Sequence, residues 1–63
     1  MCVYVIFNAD GQMLEVCKDR RGALYWFWTE CNGEFTIKIN CDEEIITSAN
    51  GEEYKLVEWH TYS

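Results

Sequence analysis

The chain contains no proline, one histidine, and 5 lysine and arginine residues against 11 acidic residues. The absence of proline allows uninterrupted strands in every segment. The shortage of basic residues disfavours direct binding to nucleic acid, because phosphate contacts need clustered lysine and arginine. Because His60 is the only histidine, the sequence supplies few of the side-chain combinations used in acid–base or nucleophilic catalysis. Glycine-rich phosphate loops and spaced calcium ligands are also missing. We therefore expect a protein that is not an enzyme and holds no cofactor.

Cysteine is present four times, at positions 2, 17, 31 and 41, but without the Cys-x-x-Cys spacing of most structural zinc sites. No basic region precedes the apolar residues 1–7 and no small-residue cleavage site follows them, so we expect a cytoplasmic protein. If the chain is viral, that cytoplasm is the host's. Disulfides are rare in this compartment. We therefore expect free thiols; a disulfide and a zinc site that includes His60 are the alternatives.

The composition is that of a globular protein, with 49% hydrophobic and 16% aromatic residues in 63 positions. We expect one domain over residues 1–63, of marginal stability because so short a chain buries little surface. The net charge is −6, which keeps a small apolar protein soluble and would suit a basic partner. No run is apolar enough to cross a bilayer.

Three turn dipeptides divide the chain: Asp10-Gly11, Asn32-Gly33 and Asn50-Gly51. Each separates segments rich in β-branched or aromatic residues, which is the pattern of a hairpin with a two-residue turn. We therefore predict an all-β domain of about six antiparallel strands in three consecutive hairpins, forming a strongly bent sheet or a small barrel. The predicted strand pairs are 2–8 with 12–18, 23–31 with 34–40, and 44–49 with 52–61.

The segment 20–31 has an alternative interpretation as a short helix, which would make the fold α+β. Asp19 could cap its start, and Asn32-Gly33 could end it. The run Tyr25-Trp26-Phe27-Trp28 instead favours a strand by intrinsic propensity.

A strand would divide this aromatic run between two faces. Two-residue turns would place Val5 opposite Val16, and Trp26 and Trp28 opposite Ile39 and Ile37. The predicted core collects these apolar partners and the apolar residues of the third hairpin. It comprises Val3, Val5, Phe7, Leu14, Val16, Leu24, Trp26, Trp28, Ile37, Ile39, Ile45 and Leu56.

The remaining apolar and aromatic residues would then form an outer face suited to partner binding, since interfaces favour tyrosine, phenylalanine and methionine. In the third predicted hairpin Glu43 would lie opposite Glu58, and these two glutamates would form part of an acidic rim. Val57 and Trp59 are candidate additions from the last strand. The predicted partner-binding residues are Tyr4, Ile6, Met13, Tyr25, Phe27 and Lys38, and the acidic rim is Asp42, Glu43, Glu44 and Glu58.

These features predict a small acidic protein-interaction module that binds a host protein or a second copy of itself. Size and charge are typical of phage-encoded inhibitors of host enzymes or of defence systems, although this is an analogy only. The alternative is a homo-oligomer that binds or sequesters a nucleotide. In that case aromatic side chains would stack on the base, and Arg20, Arg21 and Lys38 would hold the phosphates.

Overall fold

The computed structural model describes residues 2–41 and 43–60. Within them the chain is mostly β, with one antiparallel sheet of five strands and one α-helix. The elements are β1 (Cys2–Asn8), β2 (Met13–Cys17), α1 (Arg20–Glu30), β3 (Phe35–Asn40), β4 (Glu43–Ser48) and β5 (Glu53–His60). The order of these strands is β2-β1-β5-β4-β3, so within residues 2–41 and 43–60 β2 and β3 form the edges of the sheet and it does not close into a barrel. The mostly β class was predicted correctly, but six strands in three consecutive hairpins was wrong.

Helix α1 occupies the segment for which a strand was the preferred prediction, and it has the ends that the alternative predicted. Asp19 is the N-cap, and its side chain accepts a hydrogen bond from the Gly22 amide at 2.7 Å. At the other end Asn32 has φ 54° and Gly33 φ 74°, and the Gly33 amide donates to the Trp28 carbonyl at 2.8 Å. This is a Schellman stop. Both ends are therefore fixed by local hydrogen bonds, and these outweigh the weak helix propensity of the aromatic run.

The two other turn dipeptides do form hairpins, but with three-residue loops, Ala9-Asp10-Gly11 and Ala49-Asn50-Gly51. In each loop the amide of the glycine donates to the carbonyl three residues before it, at 3.0 Å. Only the glycine has positive φ, 85° at Gly11 and 91° at Gly51, whereas a two-residue type I′ turn needs two such residues. The extra loop residue shifts the strand pairing next to the turn by one position.

The β1–β2 hairpin recovers its predicted register through a bulge. Phe7 pairs with Met13 beside the loop, but Val5 pairs with Val16 farther along, as predicted. Leu14 is the extra residue of β2 between these two registers.

The β4–β5 hairpin has continuous pairing over its whole length, so its predicted register is wrong by one residue. Ile46 pairs with Tyr54 and Glu44 with Leu56. Consequently Ile46 faces the core in place of Ile45.

Helix α1 packs on one face of the sheet, and the core lies between them. Ala23 and Phe27 of the helix are fully buried, as are Ile6 and Ile46 of the sheet. Several partly buried hydrophobic residues pack against this cluster. They are Tyr4, Cys17, Trp26, Phe35 and Tyr54.

The predicted burial was right for Val5 and Leu56, which are 1% and 2% exposed, but Val5 is buried on the sheet face opposite α1. It was wrong for several apolar residues that lie on the edge strands or on the outer side of α1. These are Leu14, Val16, Trp28, Ile37 and Ile39. For Val16 the physical reason is that the helix covers the sheet face of Tyr4 and Ile6 and leaves the predicted core face of β1 uncovered. Ile37 and Ile39 do share the helix side of the sheet, but they lie on the edge strand β3, away from β1 and β2, over which the helix packs.

Candidate functional site: the open face of the sheet

The sheet face opposite α1 carries a cluster of apolar side chains on three adjacent strands. Residues paired across strands share a face, so the pairing of Val5 with both Val16 and Val57 places all three together. Phe7 pairs with Met13, and Val3 pairs with Trp59. We call this cluster the open-face patch; its members are Val3, Val5, Phe7, Met13, Val16, Val57 and Trp59.

The open-face patch is closely packed and at the same time accessible. Val5 at its centre is 1% exposed although α1 lies on the other face, because its neighbours on three strands shield it. The Phe7 and Trp59 rings are in contact, with centroids 6.3 Å apart. Around this centre Met13 is 56%, Val16 49% and Trp59 49% exposed. Antiparallel sheets often turn one face to solvent, but that face is normally polar. A contiguous apolar face of this kind marks an interaction surface.

The charged residues that strand pairing places on the open face balance one another. Lys55 and Glu43 form an ion pair at 3.9 Å, and the other two charges are Lys38 and Glu53. Their formal charges cancel, while the chain as a whole carries −6. The acidic excess therefore lies on the turns, the helix and the helix side of the sheet. It would not repel an acidic molecule that docks on the open face.

The predicted partner-binding residues do not form one surface. Ile6 and Phe27 are fully buried in the core and Tyr4 packs against it, so their predicted exposure was wrong. Tyr25 is 71% exposed on the outer side of α1. Met13 and Lys38 do lie on the open face, on opposite edge strands.

The predicted acidic rim is also divided among separate partners. Glu44 forms a salt bridge with Arg20 of the helix, and this bond raises the Arg20 pKa. Glu43 pairs with Lys55, whereas Glu58 contacts Cys2 and His60. The predicted pairing of Glu43 with Glu58 was wrong, because the register of β4 and β5 is displaced by one residue. The position 42 aspartate lies outside the described residues.

Sequence reasoning assigned four residues of the open-face patch, Val3, Val5, Phe7 and Val16, to the core. Their mutual register was correct, so the missing information was the location of the covering layer. Residues 2–7 of β1 are apolar on both faces, and an alternating pattern cannot then show which face is covered. The capping residues Asp19 and Asn32-Gly33 are the sequence signal for a helix here, and a single helix can cover only one face of the sheet.

Edge strand β3 exposes a second, smaller apolar area on the helix side of the sheet. Ile37 is 40% and Ile39 72% exposed. Ile39 pairs with Glu44, whose salt bridge to Arg20 interrupts the apolar surface. This area is therefore less continuous than the open-face patch.

A groove of about 700 Å³ lies between the end of β2 and the first turn of α1. Lys18, Arg21 and Tyr25 line it together with Asp19. The predicted phosphate-binding set is dispersed, because Arg20 binds Glu44 on the helix side while Lys38 lies on the far edge strand. Only Arg21 of that set lines the groove.

None of the four cysteines, all of which lie in the described part of the chain, forms a disulfide. Cys31 is buried in the core, and burial raises the pKa of its thiol. Among the described residues, no helix has the length and hydropathy needed to cross a membrane. No protein-family model, curated protein or solved structure matches the chain.

Proposed function

We propose that this chain is a non-enzymatic protein-interaction module that assembles with a second copy of itself through the open-face patch. The observation that carries the proposal is the contiguous apolar cluster on the uncovered side of the sheet. Two such sheets can pack face to face about 10 Å apart, which is the arrangement of a β-sandwich.

The charge of the open face is compatible with a second copy as the occupant. Two chains that each carry −6 repel one another unless the contact surface is free of the excess. The open face meets this condition, since Lys38 and Lys55 offset Glu43 and Glu53. Around a two-fold axis, the lysines of one copy can approach the glutamates of the other.

The size of the patch indicates a modest affinity. The seven-residue strand β1 is about 23 Å long and three strands span about 14 Å, which gives roughly 320 Å² of projected apolar area per copy. Stable interfaces bury about 1,200–2,000 Å² in total. Even if the polar part of the face is included, the total area buried in the dimer would lie near the lower limit of this range. We therefore expect dissociation in about the micromolar range.

The test is sedimentation equilibrium from about 1 μM to 1 mM protein, with two matched variants. Val16→Lys places a charge in the patch on one edge strand, and Ile39→Lys places the same charge at an exposed isoleucine on the other. Symmetry introduces the Val16→Lys charge twice into the interface. We expect the wild type and Ile39→Lys to dimerise and Val16→Lys to remain monomeric, all with unchanged circular dichroism. A monomeric wild type, or a dimer that only Ile39→Lys dissociates, would overturn the proposal.

The expectation that such a module inhibits a host enzyme or a defence system remains a prediction from size and charge. It requires a different protein as the occupant of the patch, and a monomeric wild type in the sedimentation experiment would favour it.

The second candidate function is binding of a nucleotide-type ligand in the groove that Lys18, Arg21 and Tyr25 line. Its support is that an exposed aromatic ring and two cations line the same shallow surface groove. NMR titration with AMP tests it. We expect Arg21→Ala to abolish the shifts and Lys38→Ala, on the far edge strand, to leave them unchanged. Absence of shifts in the wild type would exclude AMP binding at this groove.

A further inference from the structure

Three side chains able to bind metal meet at the end of the sheet where β1 begins and β5 ends. Cys2 pairs directly with His60 across the two strands, and Glu58 precedes His60 by two residues, so all three share one face. This is the face of Tyr4 and Ile6, opposite the open-face patch. The cluster is therefore spatially separate from the proposed dimer surface.

The geometry points to a zinc site formed by Cys2, Glu58 and His60. The Cys2 Sγ lies 2.9 Å from the Glu58 Oε1, and the His60 Nε2 lies 3.4 Å from the same oxygen. All three ligand atoms lie within 4.8 Å of one another. Ligands of tetrahedral zinc are about 3.3–3.8 Å apart, given the usual Zn–S, Zn–N and Zn–O distances. Small side-chain rotations would bring these atoms to that spacing.

The ligand types select zinc over the common hard cations. Calcium and magnesium prefer oxygen ligands, whereas a thiolate and an imidazole suit zinc and chemically similar transition metals. Three protein ligands leave a fourth tetrahedral position for water. Because Glu58 and His60 are exposed, we expect weaker binding than at a closed structural zinc site.

The electrostatics of the metal-free cluster fit a cation site. The Cys2 thiol donates a hydrogen bond of 2.9 Å to the Glu58 carboxylate, so the thiol proton points at a formal negative charge where a cation could take its place. Zinc would replace the thiol proton, which leaves for solvent. Its double positive charge would then offset the thiolate and the carboxylate together.

Bound zinc would connect the first and last strands of the chain. Cys2 and His60 are separated by nearly the full sequence but are neighbours in the sheet, so a metal bond between them closes a very long loop. Small domains commonly use a metal ion to add stability. We therefore assign the site a stabilising role.

Titration with Co²⁺ alone and with Zn²⁺ alone tests the assignment. Co²⁺ should produce thiolate charge-transfer and tetrahedral absorption bands in the wild type and in Cys41→Ser, which removes an exposed thiol elsewhere. Cys2→Ser should abolish the charge-transfer band. A Zn²⁺ concentration about 100-fold above the dissociation constant should raise the melting temperature by roughly 20 °C in the wild type.

Glu58→Gln and His60→Ala provide independent variants, and each should weaken Co²⁺ binding at least tenfold while the fold is preserved. The zinc assignment would be overturned if the wild type showed no spectral change, or if the charge-transfer band persisted in Cys2→Ser. Bands lost in Cys41→Ser instead would place the metal at a different thiol.

Discussion

Replacement of adjacent aromatic residues in α1 distinguishes the helical arrangement from the alternating arrangement of a strand. In the helix Phe27 points into the core and Trp28 points outward, whereas a strand in the predicted register would bury Trp28 and expose Phe27. We expect Phe27→Ala to destabilise the protein much more than Trp28→Ala, although tryptophan is the larger side chain.

The difference follows from burial. Phe27 is 0% exposed, and its ring contacts Trp26, Phe35 and Tyr54 at centroid distances of 5.2–6.1 Å. Its removal should cost about 3–5 kcal/mol, because hydrophobic transfer energy is lost and a cavity remains. Trp28 is 62% exposed. Less than half of its surface is therefore buried, and the loss of that buried surface should cost about 1–2 kcal/mol.

Urea unfolding monitored by circular dichroism measures both values, with Tyr25→Ala, at a 71% exposed position of the same helix, as the control. A domain of this size has about 3–9 kcal/mol of total stability, so Phe27→Ala should be largely unfolded. Phe27→Leu is the measurable substitute, because it retains most of the side-chain volume. A larger loss for Trp28→Ala than for either Phe27 variant would refute the helical arrangement of this segment.

Three further substitutions test the helix ends and one side-chain hydrogen bond, with unfolding free energy as the common measurement. Asp19→Ala should cost about 1 kcal/mol through loss of the N-cap, and Asp10→Ala, with the same charge change, should cost less. Gly33→Ala should cost more than Gly11→Ala, because both have positive φ but only at Gly33 would the new methyl group lie 3.1–3.2 Å from the Trp28 ring. Tyr54 donates to Glu52 at 2.8 Å, which raises its pKa from 10.0 to about 12, so this bond stabilises the fold below pH 10 and is lost as pH rises toward 12. Over that range the wild type should lose stability more steeply than Tyr54→Phe; equal slopes would contradict the pKa assignment.

The β1–β2 hairpin shows how much of the fold local sequence signals could predict. Alternation and an Asp-Gly turn were enough to pair Val5 with Val16, and a bulge at Leu14 absorbed the error in loop length. At Ala49-Asn50-Gly51 the same error was not absorbed, so Ile46 rather than Ile45 entered the core. Sequence patterns therefore located the five strands but also predicted a sixth where α1 lies, and loop length decided the side-chain faces.

The candidate site depended on non-local information that the sequence patterns did not contain. β1 and β5 are adjacent although they lie at opposite ends of the chain, so the meeting of Cys2 with His60 had no local signal. Likewise, α1 could cover either apolar face of β1, and only the tertiary structure identifies Val16 and Trp59 as surface residues.

Isotope-filtered NMR on a mixture of labelled and unlabelled chains is the most direct test of dimerisation through the open-face patch, because it detects contacts between copies. We expect intermolecular NOEs that join the methyl groups of Val3, Val16 and Val57 and the ring of Trp59 across the two copies. Val16→Lys should remove these NOEs, and Ile39→Lys should preserve them. Intermolecular NOEs confined to Ile37 and Ile39, or none at concentrations near 1 mM, where most of a dimer with a micromolar dissociation constant is assembled, would contradict dimerisation through this patch.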